Sequence, residues 1–361
     1  MATPQPRIRV GIVGCGEAAQ ILHLPTLAQL GDRFEVTALC DVSATVLDGV
    51  GDLWGIERRL GDYRDLAALS DVDAVLIANP DPYHADATLA AISAGKDVLV
   101  EKPMCLGTRE CDEIVAAAER AGAIVQVGYM RRYAPAVADA QQLLAQIGDV
   151  RFARVHDVIG LNRDIIDQTS RVIRGADVPA ELVEQTWARR RALVEEALGP
   201  LEPGRAGAYD LLLGLGSHDL SAMRELLGLP RDVTYAAQRR NGGYVVATLD
   251  YGDFVCQFEI GVDEIPRYDT HIEVFGARHV LRLRWDVPYV RNLPTQLTVL
   301  EADDRGGFSQ RTVMPAWGDP FVAEWLAFHD SVTRREPARS SAADFRHDLE
   351  LFGRMVELMA P

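Results

Sequence analysis

The stretch Ile8-Arg9-Val10-Gly11-Ile12-Val13-Gly14-Cys15-Gly16-Glu17-Ala18-Ala19-Gln20-Ile21-Leu22 decides the fold. Ile8 to Val13 is a short apolar run with alternation, and it leads into two glycines and then a second apolar segment. The order is strand, tight turn, helix. The spacing fits G-x-G-x-x-A: Gly14 permits the turn, Gly16 lets a pyrophosphate approach the backbone, and Ala19 lets the helix pack closely. Glu17 and Ala18 open that helix, whose free N–H groups and positive dipole end suit a phosphate. A glycine pair of this kind also occurs as a plain structural turn, so its neighbours carry the argument.

Phe34 to Cys40 is a second β-like run, and it ends at Asp41. That is about the distance beyond the glycines at which a Rossmann fold sets an acid against the adenosine ribose hydroxyls, which favours NAD. Val42 and Ser43 offer no cation to a 2′-phosphate, although Arg58 or Arg59 could fold back from a distance, so NADP stays open. The alternative is that Asp41 caps the helix starting near Ala44, a role Ser43 fills equally well. Ala74 to Ala78, Asp97 to Val100 and Ile124 to Val127 follow as strands, with helices over Asp86 to Ala94 and Glu110 to Arg120 between them. This alternation predicts a doubly wound parallel sheet whose ligands sit beyond the carboxyl ends of the strands. Those ends carry Asn79-Pro80, Glu101-Lys102-Pro103 and Gly128-Tyr129.

A chain of 361 residues exceeds one comfortable core, which predicts an N-terminal Rossmann domain over 1–130 and a second domain over 131–361. With 48% hydrophobic and 25% charged residues the composition is that of a globular protein. No apolar run approaches the roughly 18 residues of a membrane span, and Met1 to Pro6 lack the order of a secretion signal, so a cytoplasmic protein is expected. Cys15, Cys40, Cys105, Cys111 and Cys256 are scattered, odd in number and without C-x-x-C spacing, which argues against disulfides and structural zinc. The eight histidines show no H-x-x-x-H spacing, and no metal is expected. A net charge of −16 argues against a nucleic-acid partner.

Beyond residue 150 the pattern changes to strands: Val150 to Ile159, Val233 to Gln238, Tyr244 to Tyr251, Phe254 to Val262, His271 to Phe275, His279 to Trp285 and Gln296 to Leu300. They predict a C-terminal α+β domain built on a large, mostly antiparallel sheet with one face toward the cofactor domain. Two helices close the chain, one capped by Asp319 with Pro320 in its first turn, the other with Ser341 and Asp344 at capping-box-like spacing. Residues 162–207 read as a helical insertion in which Asp177 caps a helix running from Pro179 to Leu198, and Arg189-Arg190-Arg191 is a solvated helix face. Such an insertion covers a substrate site or extends a subunit interface. Asn162, at its head, and His156, on the first strand of the domain, are candidates for substrate contact.

Four elements in order, Gly14-Cys15-Gly16, Ala78-Asn79-Pro80-Asp81-Pro82-Tyr83-His84, Ala94-Gly95-Lys96-Asp97-Val98-Leu99-Val100-Glu101-Lys102-Pro103 and Gly128-Tyr129-Met130-Arg131-Arg132-Tyr133, resemble the Gfo/Idh/MocA oxidoreductases. The family includes glucose-fructose oxidoreductase and inositol dehydrogenase. The resemblance is close over the first 135 residues and thinner afterwards. It implies that Asn79, Pro80, His84 and Glu101 lie along the cofactor, that Lys102 sits beside the nicotinamide facing the substrate, and that Tyr129 and Arg132 reach the substrate. A lysine beside a cationic ring in a buried site has a lowered pKa, suited to proton exchange with a hydroxyl. The plain alternative is a surface Glu101–Lys102 pair before a proline turn.

Leu213-Gly214-Leu215-Gly216-Ser217-His218-Asp219-Leu220 is similar to the family's second catalytic motif, in which an Asp precedes a His by four positions and shares its helix face. His218 matches the His, but Gly214 stands where the Asp would be. His218 then acts alone as base, with an unperturbed pKa of about 6.5, or Asp210 one turn earlier substitutes; a packed core histidine is the alternative. The resemblance implies an NAD(P)-dependent dehydrogenase of a sugar, glycoside or cyclitol, assembled as a homodimer or homotetramer. The competing functions are NAD-assisted elimination or glycoside cleavage through transient oxidation, and a non-catalytic NAD-binding sensor.

Overall fold

A computed structural model describes residues 7–314 and 318–360; Met1 to Pro6, read above for a leader, lie outside them. The chain divides into two compact units, and the division is interleaved rather than sequential. Unit 1 comprises Met1–Gly128, Ser170–Gly199 and Glu324–Leu349; unit 2 comprises Tyr129–Thr169, Pro200–Ala323 and Glu350–Pro361.

Unit 1 is built on β1 (Ile8–Val13), β2 (Phe34–Cys40), β3 (Arg59–Leu60), β4 (Ala74–Ile77), β5 (Asp97–Val100) and β6 (Val125–Val127), all parallel, in the order β3-β2-β1-β4-β5-β6. Every residue of β4 and β5 is buried, which explains their unbroken apolar character: a parallel sheet is covered on both faces. The strand order reverses between β1 and β4, and there the carboxyl ends open a crevice for a ligand. The helix after the glycine turn carries a π turn, Ala19–His23, before its α-helical part Leu24–Gln29. Trp325 and Phe34 fill the core, edge to face with ring centroids 5.1 Å apart.

Residues 170–199 lie on this unit, and two expectations about them are corrected. The helix Ala180–Leu198 starts at Pro179 with no side-chain cap, because Asp177 points at a different helix, Ala44–Trp54. Of the arginine run only Arg191 is exposed. Arg189 donates to the Pro82 carbonyl at 2.9 Å and to Asp86 at 2.8 Å and lies 4.9 Å over the Tyr83 ring, while Arg190 reaches Asp81 at 3.2 Å. Both partners lie about a hundred residues away in sequence, where helical periodicity carries no information.

Unit 2 is an eight-stranded sheet of β7 (Val150–Ile159), β8 (Asp232–Arg239), β9 (Tyr244–Asp250), β10 (Val255–Val262), β11 (Tyr268–Gly276), β12 (His279–Trp285), β13 (Gln296–Ala302) and β14 (Phe308–Val313). Its order is β14-β13-β12-β11-β7-β10-β9-β8, and only the β7–β10 pair is parallel. The edge strand β14 escaped the sequence reading because nearly all of Phe-Ser-Gln-Arg-Thr-Val is exposed and so carries no alternation. Along β7, Ala153, Val155, Asp157 and Ile159 are buried and Arg154 and His156 alternate with them. The buried face packs on a long helical run: Pro203–Leu211, a π turn Leu212–Gly216, then Ser217–Leu227. Among the described residues no helix is long and apolar enough to cross a membrane.

Candidate active site

In unit 1 the carboxyl ends of β1, β2 and β4 converge at the glycine turn. Gly14 has φ +90°, and a Cβ there would lie 2.3 Å from the Asn79 nitrogen and 2.4 Å from the Ala78 oxygen, so only glycine fits. At Gly16 a Cβ would meet nothing within 4 Å, leaving open space above the start of the helix at Glu17 and Ala18. Asp41 accepts from the Cys15 N–H at 2.8 Å and the Ser43 N–H at 2.9 Å, one on each oxygen. A carboxylate oxygen accepts more than one hydrogen bond, so both keep capacity for ribose hydroxyls. Ser43, not Asp41, caps the helix Ala44–Trp54, accepting from Val46 N–H at 3.1 Å. Asn79 has a buried side-chain oxygen with no hydrogen-bond partner. Such an atom costs about 1–3 kcal/mol unless a ligand supplies the donor. The open glycine turn, the fixed carboxylate and the orphaned amide oxygen fit a dinucleotide.

His84 bridges the loops that follow two of these strands. It is 3% exposed, and its ring nitrogens stand 2.7 Å from the Pro103 carbonyl and 2.7 Å from the Asn79 carbonyl. It therefore braces the β4 loop against the β5 loop. Pro80 is exposed at the start of the Asp81–Tyr83 turn. The Glu17 side chain pairs with Arg174 at 2.7 Å, leaving its backbone for a phosphate.

At the end of β5, Glu101 receives a relay that starts on the indole of Trp325. The Trp325 Nε1–H donates to His23 Nδ1 at 3.1 Å, and His23 Nε2 lies 2.9 Å from Glu101 Oε1. An indole only donates, so Nδ1 is unprotonated and Nε2 carries the hydrogen that Glu101 accepts. The other carboxylate oxygen accepts from the Lys102 N–H at 3.1 Å. Burial works against the charged form, but the His23 bond and the Lys102 charge outweigh it and hold Glu101 below its ordinary range. An ionised carboxylate thus precedes Lys102 in the chain and accepts from its N–H.

In unit 2, His218 follows the π turn and is half-buried, its ring edge-on to Tyr129 with centroids 6.5 Å apart. Gly214 and Asp210 are exposed on the same helical run, and a Cβ on Gly214 would meet nothing within 4 Å. Space for the missing carboxylate is present. Asp219, next to His218, points the other way: fully buried, it pairs with Arg131, whose Nη1 also reaches Asp157 at 3.0 Å. Thr270 donates to Asp157 at 2.5 Å, and Arg131 donates to the Tyr268 hydroxyl at 3.0 Å. Burial and the Asp157 charge push the Asp219 carboxyl up despite Arg131.

The remaining substrate candidates fare differently. Arg132 is buried and holds Glu225 at 2.5 Å, tying two helices together, so its guanidinium is committed to packing. His156 stands on the sheet face opposite Asp157 and the His218 helix, in register with His271 and Glu259 and 3.0 Å from the Glu259 carboxylate. The alternation of a strand separates it from His218. Asn162 opens the helix Asn162–Thr169 with its side-chain oxygen buried and unpartnered.

Residues 8–129 match the family model described as "Oxidoreductase family, NAD-binding Rossmann fold". That model describes the Gfo/Idh/MocA oxidoreductases. Over 128 residues, 35% of this chain, the sequence is 37% identical to inositol 2-dehydrogenase of Salmonella typhimurium, spanning 38% of that protein's length. A likeness of 28% over 344 residues runs to the inositol 2-dehydrogenase/D-chiro-inositol 3-dehydrogenase of Shouchella clausii, covering 93% of this chain and 87% of that one. Among solved structures, a 3-ketoreductase from Actinomadura kijaniata in complex with NADP has the same fold, with TM-score 0.74 at 20% identity over 98% of both chains.

The sequence reading missed His23, Trp325, Arg131 and Asp157. His23 and Trp325 are 302 positions apart, and neither carries a motif. Arg131 lay inside a quoted motif, and a lone Asp157 on an otherwise apolar strand face was the available signal for its partner.

Proposed function

We propose that the protein reversibly oxidises a secondary hydroxyl of a sugar, glycoside or cyclitol using NAD(P). Hydride acceptance and return is the chemistry the cofactor supplies when bound. The backbone of Gly14, Gly16, Glu17 and Ala18 receives the pyrophosphate, Asp41 orients the adenosine ribose, and Asn79 offers its orphaned oxygen to a donor on the ligand. Lys102 exchanges the hydroxyl proton, with Glu101 as fixed countercharge, and His218 serves as base beside Tyr129; Asn162 contacts the substrate. The observation that carries this reading is the set formed by the Gly14 turn, Asp41, Asn79 and Glu101–Lys102 at the carboxyl ends of one parallel sheet. The open face of the eight-stranded sheet supports a homodimer or homotetramer.

The test is absorbance at 340 nm with NAD or NADP and a panel of inositols, aldoses and glycosides. Growth of the signal supports the dehydrogenase. A flat trace across the panel, with nucleotide released on denaturation, favours transient oxidation during elimination or glycoside cleavage, or a sensor. The specific support for the sensor is Gly214, which leaves His218 without the family's carboxylate partner.

A further inference from the structure

The chain between Ser170 and Asp177 crosses from the glycine-turn helix to the start of the helix Ala44–Trp54, and its anchors are specific. Gln20 exchanges two hydrogen bonds with the backbone of Ile173, accepting from its N–H at 2.8 Å and donating to its carbonyl at 2.9 Å. The Gln20 amide also donates to the Cys15 carbonyl at 2.8 Å, which ties the strap to the dinucleotide loop itself. At the far end Asp177 accepts from the Ser43 hydroxyl at 2.5 Å and from the Thr45 N–H at 3.0 Å. A Cβ on Gly175 would fall 2.0 Å from the Ser43 oxygen, so the close approach depends on glycine at that position.

Ser43 therefore gives its N–H to Asp41 and its hydroxyl to Asp177. Asp41 is the residue assigned above to the ribose hydroxyls. A phosphate on the ribose 2′-oxygen would arrive where the Ser43 hydroxyl and the Thr45 N–H are the donors, and Asp177 already takes both. The neighbouring cations are engaged with acids: Arg58 with Asp71 at 2.7 Å, Arg59 with Asp52 at 2.6 Å, and Arg174 with Glu17 at 2.7 Å. The Ser43 hydroxyl and the Thr45 N–H hold the Asp177 carboxyl below its ordinary range, so it is charged at neutral pH.

We infer that Asp177, delivered by the 170–177 strap, is a specificity-determining residue that excludes a 2′-phosphorylated dinucleotide and makes the protein select NAD over NADP. The inference rests on the proposed dinucleotide site and adds a second carboxylate, from a distant part of the chain, to the one at Asp41. Asp177 acts through repulsion and through occupation of the donors a phosphate would need. It leaves the contacts of unphosphorylated ribose to Asp41.

The experiment is equilibrium binding of NAD and NADP to the full-length protein by titration calorimetry, repeated with Asp177→Asn and with Gly175→Val, which moves the strap away from Ser43. Wild type should bind NAD more tightly than NADP, and Asp177→Asn should tighten NADP by at least about fivefold, the worth of one unit charge at contact distance in bulk water, while NAD changes less than about twofold. Gly175→Val should shift the ratio in the same direction. An NADP-to-NAD ratio unchanged in both variants, or a wild type that prefers NADP, overturns the inference. Failure to bind either nucleotide overturns it together with the proposed function. Binding that responds as expected, in a protein that oxidises none of the sugars offered, sinks the dehydrogenase reading alone and leaves the role of Asp177 standing.

Discussion

Lys102 and His218 each have a carboxylate as immediate chain neighbour, and the two carboxylates are held in opposite ways. Glu101 accepts from His23 and from a backbone N–H and stays ionised below its ordinary range. Asp219 shares one guanidinium with a second acid, and burial pushes its carboxyl up. The difference is one of charge balance. Around Glu101 two basic residues, His23 and Lys102, face one acid, whereas around Arg131 two buried acids compete for a single positive charge. Unit 1 thus keeps a fixed negative charge beside the lysine proposed to transfer protons, and unit 2 uses its ion cluster to lock the helix that carries His218.

The comparison can be broken most sharply at Lys102. Lys102→Ala should lower turnover by about 10²- to 10⁴-fold, the usual worth of a positioned acid or base, with NAD affinity nearly unchanged. Wild-type-like rates in that variant would remove Lys102 from the chemistry and leave Glu101 a purely structural carboxylate.

Next in size is Arg131→Met, which strands Asp157 and Asp219 without a cation. Breaking a buried pair in this way costs about 3–5 kcal/mol, to be read from urea unfolding. A loss under about 1 kcal/mol would mean that the cluster does not lock the helix.

Two further variants contrast the carboxylates directly through pH. The Glu101 pKa is lowered from 4.5 on folding, so its contribution is complete above that value and is lost as pH falls through the folded pKa. The Asp219 pKa is raised from 3.8, so its contribution is complete below that value and is lost as pH rises toward the folded pKa. Each proton of difference is worth about 1.4 kcal/mol per pH unit. Glu101→Gln should therefore flatten the acid limb of the stability profile, and Asp219→Asn should flatten a decline on the other side. Slopes of the same sign in the two difference curves would contradict the contrast.

The smallest effect is expected from Gly214→Asp. The added side chain has room, and replacing a helical glycine removes a backbone entropy cost, so stability should change by less than about 1 kcal/mol. Turnover on an accepted sugar or cyclitol should rise, because His218 regains an acid on its own face. A clear fall in turnover would show that the glycine is there to admit a bulkier substrate.

How much was legible follows from the range over which each signal acts. The strand–glycine–helix order from Ile8, the acid at Asp41 and the runs β1, β2 and β5 were readable because alternation, turn chemistry and burial on both faces of a parallel strand are properties of a few consecutive residues. For the same reason β7 and β12 were placed to the residue, while the exposed β14 was invisible. Lys102 and His218 stood out through motifs, but what surrounds them did not.

The sequence by itself determined that a Rossmann sheet leads the chain, which residues end its strands, and that Gly214 interrupts an otherwise familiar motif. The tertiary structure alone decided that Trp325 orients His23 toward Glu101, that Arg131 binds two acids, that His156 faces away from His218, and that Asp177 serves Ser43 rather than its own helix. Local patterns report how a segment sheds water from one face. The pairing of polar side chains is settled by which segments the folded backbone brings within about 3 Å, the reach of a hydrogen bond, and no periodicity in the chain encodes it.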